Sequence, residues 1–309
     1  MNLDNEKELF EQIIIGASRK LNIDVAIIEK DYYVTKILKM LVEAEPNIIF
    51  KGGTSLSKCY KLIDRFSEDI DLNYDNQGKN ITARKRKEIS KLIKEVGDKM
   101  GVELTNPDDL RSGRDFNRYI FDYHADYVVG AVKTSLIVEM AMMTNSFPTE
   151  VVNADSYIYQ FLFGEGMEDI IEEYNIEPFA VSVQTKERTF VDKIFAICDY
   201  YMSNKVTEHS RHLYDLYKLY PYIKNDEKLA QLVVEVRKAR ANSKVCLSAR
   251  AGCVLTEILE RIIEDAIYKG DYQEITQVLL FEKVEYERVI DNLRLIALMN
   301  IWDEKPEVG

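Results

Sequence analysis

One stretch restricts the possible folds of this chain more than any other: Lys51-Gly52-Gly53-Thr54-Ser55-Leu56-Ser57-Lys58, followed by Arg65-Phe66-Ser67-Glu68-Asp69-Ile70-Asp71-Leu72. Ile48, Ile49 and Phe50 form an apolar run halted by Gly52-Gly53, the pattern of a buried strand entering a tight turn. Thr54 or Ser55 can cap a helix whose apolar positions Leu56, Cys59, Tyr60 and Ile63 recur at helical spacing. Lys58, Lys61 and Arg65 fall on the opposite face of that helix. Asp69 and Asp71 then alternate with Ile70 and Leu72, as in a strand whose carboxylates share one face while its apolar residues enter a core.

Phosphoryl and nucleotidyl transfer use such a layout. Backbone N–H groups at a helix start cradle phosphates, and paired carboxylates hold magnesium, which prefers hard oxygen ligands. Two such ions roughly 3.5–4 Å apart stabilise the attacking and the leaving oxygen. An isolated Asp-x-Asp is equally the wet face of an edge strand. The glycine pair one short helix upstream is what favours the metal reading.

Lys51-Gly52-Gly53-Thr54-Ser55-Leu56 and Arg65-Phe66-Ser67-Glu68-Asp69-Ile70-Asp71-Leu72 together resemble the nucleotidyltransferase AbiEii/AbiGii toxin family, a branch of the polymerase-β-like nucleotidyltransferases. The gap between glycines and acids is longer than in many members of that superfamily and matches the toxin branch. The resemblance implies an α/β (α+β) fold, with a nucleotidyltransferase lobe built on a small mixed sheet and then a helical lobe. It implies Mg2+-dependent transfer of a nucleoside monophosphate from an NTP, with pyrophosphate released, to a tRNA 3′ end or a protein hydroxyl. A toxin of a type IV-like toxin–antitoxin or abortive-infection system, with a cognate antitoxin as partner, is the implied role. Asp69 and Asp71 would hold a two-ion magnesium site. Gly52, Gly53, Thr54 and Ser55 would hold phosphate oxygens, with Lys58 or Arg65 assisting.

Two further segments bear on the site. In Lys133-Thr134-Ser135-Leu136-Ile137-Val138-Glu139-Met140-Ala141-Met142 a single acid stands among apolar residues, costly on a buried strand unless paired or metal-bound. Glu139 is either an edge-strand acid facing water or the third carboxylate, as metal ligand or as proton acceptor for the incoming hydroxyl. A helix is expected to start near Lys186, with Phe190, Ile194, Ile197, Cys198 and Tyr201 on its buried stripe and Lys193 at the border. From the residues alone Lys193 is a snorkelling lysine; the resemblance, through Arg188-Thr189-Phe190-Val191-Asp192-Lys193, makes it a charge partner of the triphosphate. Arg211-His212-Leu213-Tyr214-Asp215-Leu216 is similar to another family segment. Its bland reading is an exposed Arg211–Asp215 pair worth about 0.3–0.5 kcal/mol. The resemblance instead makes Asp215 a site acid that orients Lys193, on consecutive helices able to form a hairpin.

Elsewhere, residues 6–44 read as two helices joined at Asn22 and Asp24, with Glu29-Lys30-Asp31 near the start of the second and structural in role. A charged helix is expected over 82–100, a loop over 105–115, and strands over 117–124 and 132–143 paired around Gly130. Residues 147–180 look irregular or partly helical, with a short strand at Phe179–Val183. The expected domains are 1–180 and a helical lobe, 181–309, that contributes Lys193 and Asp215.

Composition narrows the rivals. Three histidines and four scattered cysteines leave little material for a zinc site or a His-dependent triad. A net charge of −12 argues against nucleic-acid binding by the whole surface, while Arg84-Lys85-Arg86-Lys87 and Arg237 to Lys244 remain as local basic clusters. No apolar run approaches a membrane span and no signal-peptide pattern opens the chain, so no membrane partner and a cytoplasmic location are expected. The alternatives are a phosphatase or glycosyltransferase using Asp-x-Asp, and a catalytically silent binding protein of the same fold.

Overall fold

Phe50, Ile70, Leu72, Val138 and Met140 are almost wholly buried, and they lie on alternate positions of neighbouring strands. Their shared face is the foundation of the sheet. The computed structural model describes residues 2–77, 79–111, 113–128, 134–142 and 147–303. Contacts divide the chain into two units: Met1–Lys61 with Phe66–Gln184, and Leu62–Arg65 with Thr185–Gly309.

The first unit opens with α1 (Lys7–Leu21) and α2 (Val25–Ala44). Asn22, left-handed at φ 54°, closes α1, and Asp24 caps α2 by accepting from Ala26 N at 2.9 Å. There follow β1 (Ile48–Lys51), α3 (Gly52–Lys58), β2 (Asp69–Tyr74), α4 (Ala83–Met100), β3 (Glu103–Leu104) and β4 (Phe116–Asp122). The unit ends with β5 (Ser135–Ala141), β6 (Thr149–Ala154), α5 (Tyr157–Gly164), α6 (Glu168–Glu173) and β7 (Phe179–Gln184). Among the described residues these strands form one seven-stranded sheet in the order β3-β4-β5-β2-β1-β7-β6. It is mixed: β2 runs parallel to β5 and β1 to β7, and the other pairs are antiparallel.

Val34, Ile37, Leu38 and Leu41 of α2 and Ile89, Ile93 and Val96 of α4 pack with Phe50, Ile70, Leu72 and Val138 in one core cluster. Phe10, Ile13 and Ile14 of α1 meet Tyr32, Ile158 and Leu162 in a second. The apolar stripes at helical spacing therefore find the strand face at period two, which is why each element holds its register.

Several expectations change. The expected strand at Phe179–Val183 is present as β7, and the sheet gains two more that were not expected, β6 within 147–180 and Glu103–Leu104. As an edge strand, β6 leaves Val151 73% exposed and carries Glu150 and Asn153, so it shows no buried alternation. The helix after the glycines stops at Lys58, so Cys59, Tyr60 and Ile63 are not a helical stripe. The turn around Gly130 lies outside the described residues.

The second unit is helical: α7 (Lys186–Met202), α8 (Arg211–Leu219), α9 (Glu227–Arg240), α10 (Leu255–Asp265) and a last helix, Tyr286–Ala297. Thr185 caps α7 by accepting from Arg188 N at 3.3 Å. Phe190, Ile194, Leu213, Leu216, Leu259, Ile262 and Trp302 are fully buried in it. Leu62–Arg65 belongs to this unit through backbone bonds: Phe281 N donates to Asp64 O at 3.0 Å, and Arg65 bridges Leu280.

Phe50→Ala is expected to destabilise the protein by about 3–5 kcal/mol, the usual cost of emptying an aromatic site in a core. Val151→Thr on exposed β6 should stay within about 0.5 kcal/mol. Denaturant melts of the two variants check both; equal costs would place the core elsewhere.

Candidate active site

Within the first unit, strand register assembles a charged row. Lys51 of β1 stands opposite Asp71 of β2, Asp71 opposite Glu139 of β5, and Glu139 opposite Arg118 of β4. Directly paired residues share a sheet face, so cation, two acids and cation run across four strands. Asp69 lies on the same face one pleat along, and Ile70 and Leu72 turn to the core. Arg118 Nε reaches Glu139 Oε1 at 3.2 Å. Burial first, then the charge on Asp71, pushes the Glu139 carboxyl up to about 7; Asp69 adds to this, and Arg118 and Lys51 oppose it.

The glycine turn is built against this row. Gly52 adopts φ +76°, and a Cβ placed there would overlap the Asp71 carboxylate, whose Cγ would lie 2.8 Å away. Only glycine meets both the backbone and the space requirement. Lys51, in extended conformation, is the N-cap of α3, and not Thr54 or Ser55 as the sequence suggested. Both hydroxyls are used internally. Thr54 Oγ1 donates to Asp69 O at 2.5 Å and lies 3.0 Å from Ser67 Oγ, tying α3 to β2, and Ser55 Oγ donates to Gly52 O at 2.9 Å. What this leaves for a phosphate at Gly52, Gly53, Thr54 and Ser55 is backbone N–H groups.

Lys58 does not face outward. It is buried, its ammonium paired with the Asp31 carboxylate and donating to Thr35 Oγ1 at 2.6 Å. Burial lowers its pKa and Asp31 opposes that. The sequence placed Lys58, Lys61 and Arg65 on one helix face; the helix ends at Lys58, so the three share no face.

Arg65 is a correction of the same kind, in the second unit. It is buried and grips Asp215 with two bonds, Nε to Oδ1 and Nη2 to Oδ2, each 2.7 Å. Lys193 Nζ of α7 donates to Asp215 Oδ2 of α8 at 2.6 Å. Asp215 is therefore no exposed helix acid: its carboxylate is fully buried and bonded by both Arg65 and Lys193. Burial pushes the Asp215 carboxyl up, but Arg65 and Lys193 overcome it and hold the group far below the carboxylate range. His212 Nδ1 lies 3.5 Å from Lys193 Nζ, and burial, with the charges of Lys193 and Arg211, keeps this ring neutral by drawing its pKa well down.

Sequence reading missed Lys51 and Arg118 as the cations flanking the acids, and Arg65 as a partner of Asp215. The first two become visible once β1, β2, β5 and β4 are aligned. The third carries no local signal, because Arg65 and Asp215 are 150 positions apart.

The family model described as nucleotidyl transferase AbiEii toxin, type IV TA system, matches residues 36–292 of the chain. No curated protein matches it.

The Glu139 shift has a signed consequence. A carboxyl raised from 4.5 to about 7 in the folded protein binds protons that the unfolded chain has lost, so its stabilising contribution is full below 4.5 and vanishes as pH rises through about 7. Without divalent cations the melting temperature should fall from pH 5 to pH 8, and Glu139→Gln should flatten that slope; an unchanged slope would show that Glu139 titrates normally.

Proposed function

Because the chain belongs to the AbiEii nucleotidyl transferase toxin family of type IV toxin–antitoxin systems, we propose that it moves a nucleoside monophosphate from an NTP to an acceptor hydroxyl, on a tRNA 3′ end or on a protein. The acceptor oxygen bonds to the α-phosphorus, the α–β bridging bond breaks, and pyrophosphate leaves with that electron pair. The observation that carries this reading is the acid pair Asp69 and Asp71, next to Glu139 and abutted by a glycine that cannot bear a side chain.

These acids suit a divalent cation chemically. All are hard oxygen donors; burial first and then repulsion from Asp71 raise Glu139, and a dication relieves the repulsion. Among the described residues no three His, Cys, Asp or Glu side chains are gathered closely enough to form a finished cage. Asp69 and Asp71, with Glu139, would hold magnesium, which supplies charge neutralisation and Lewis-acid polarisation of the phosphoryl oxygens. Glu139 serves either as a ligand of that ion or, left unliganded, as the acceptor of the hydroxyl proton. The backbone N–H groups of Gly52 and Gly53 are donors for phosphate oxygens. Lys193, whose pKa burial lowers against the opposing charge of Asp215, would be the cation for the triphosphate.

Membership of this family implies a cognate antitoxin. Among the described residues no helix is long and apolar enough to cross a membrane. The cytoplasm, where NTPs and tRNA meet, is the proposed place of action.

Incubation with each α-labelled NTP, Mg2+ and total RNA or lysate should label one acceptor class. Asp69→Ala, Asp71→Ala and Lys193→Ala should each lower the rate by about 10²–10³-fold, the range for removing a group that stabilises transition-state charge. Label appearing on no acceptor, or appearing equally with the aspartate variants, would sink the proposal.

A further inference from the structure

Three consecutive charged residues of α2, Glu29, Lys30 and Asp31, are all buried, an unusual use of a helix interior. Successive helix positions point about 100° apart, so each reaches a different segment. Glu29 accepts from the backbone N–H groups of Asp126 and Tyr127 at 3.0 and 3.2 Å. Lys30 pairs with Glu68, the residue preceding Asp69, and its ammonium lies 5.9 Å from the centre of the Phe66 ring. Asp31 pairs with Lys58, the last residue of the glycine helix α3, and accepts from Tyr157 N at 2.8 Å.

Lys30 and Asp31 thus hold the two halves of the motif from one rigid helix. One grips the entry to β2, which carries Asp69 and Asp71; the other grips the far end of α3, which starts at Gly52. Thr54 joins the halves directly through its bond to Asp69 O, at 2.5 Å. Buried ion pairs add little stability over a well-packed apolar pair, yet their geometry admits few alternatives. A placement this specific at both ends of one motif is what a site needing sub-ångström alignment of carboxylates and glycine turn requires.

We propose that Lys30 and Asp31 are positioning residues of the transfer site: Lys30, through Glu68, sets the Asp69–Asp71 pair, and Asp31, through Lys58, sets the glycine turn. This rests on the nucleotidyl-transfer reading above. The two arms separate functionally. The Lys30 arm governs metal affinity, and the Asp31 arm governs nucleotide affinity.

The test compares Lys30→Met, Lys30→Arg, the charge-free pair Lys30→Met with Glu68→Met, and Asp31→Asn. Lys36→Met is the control, since it removes a partly buried ion pair to Asp4, 2.6 Å long, from the same helix. Mn2+ binding is read by electron paramagnetic resonance without turnover, NTP binding and KM are read separately, and melting curves establish folding. Lys30→Met is expected to weaken Mn2+ binding about tenfold or more, the scale seen when a residue supporting a metal ligand is lost. Lys30→Arg should retain the wild-type constant, and Lys36→Met should lose comparable melting temperature with no change in Mn2+ binding. Should Lys30→Met fail to fold, the double variant keeps the test open, because it leaves no unpaired charge and should still bind Mn2+ weakly. Asp31→Asn should raise the NTP KM several-fold with Mn2+ binding near wild type. Wild-type Mn2+ constants in both folded Lys30 variants would overturn the positioning role while leaving the transfer reading intact. A wild-type protein that binds no Mn2+ and transfers no nucleotide would instead overturn the reading on which it rests.

Discussion

Negative charge crowded onto one face of a sheet is the constraint around which the first unit is arranged. Asp69, Asp71 and Glu139 stand on adjacent parallel strands, where burial first and then the charges of the β2 acids lift the Glu139 carboxyl to about 7. Such a face is tolerable because the opposite face is saturated with apolar contacts, from Phe50, Ile70, Leu72 and Val138 onto α2 and α4. Lys51 and Arg118 bracket the acids without cancelling them. The glycine at position 52 follows from the same crowding, since the Asp71 carboxylate occupies the space a side chain would need.

A second device recurs in both units, independently in each. A buried carboxylate is saturated by cations brought from distant segments: Asp31 by Lys58 in the first, Asp215 by Arg65 and Lys193 in the second. Burial alone would raise the Asp215 carboxyl; fixed cations at hydrogen-bonding distance reverse that and hold it depressed. The planar guanidinium of Arg65 matters here, because two parallel bonds fix orientation as well as charge. The result is a lysine, Lys193, held at one place on α7, where burial lowers its pKa and Asp215 opposes that.

The segment Arg65-Phe66-Ser67-Glu68-Asp69, contiguous in sequence, is divided in space. Arg65 belongs with the helical unit, whereas Glu68 answers to Lys30 and Asp69 to β2. Reading the run as one motif therefore leaves out its mechanics. Arg65 is held by Asp215, Phe66 and Glu68 meet Lys30, and Ser67 and Asp69 meet Thr54, all more than ten positions away in the chain.

By itself, the amino-acid order determined the local elements and their faces. Period two placed Asp69 and Asp71 together and Ile70 and Leu72 inward; period 3.6 gave α2, α4 and α7; the double glycine marked the turn. Those features depend on neighbours a few residues away, which the sequence displays. The tertiary structure alone decided that Lys58 and Arg65 turn inward to acids and that Glu139 pairs with Asp71. It alone showed that Glu29, Lys30 and Asp31 brace three separate segments. The strand β6, short, polar and at the sheet edge, likewise took its conformation from pairing with β7. Periodicity fixes which way a side chain leaves its own element, but what it meets there depends on long-range pairing, and for a charged group that partner decides whether it stays in water or is buried.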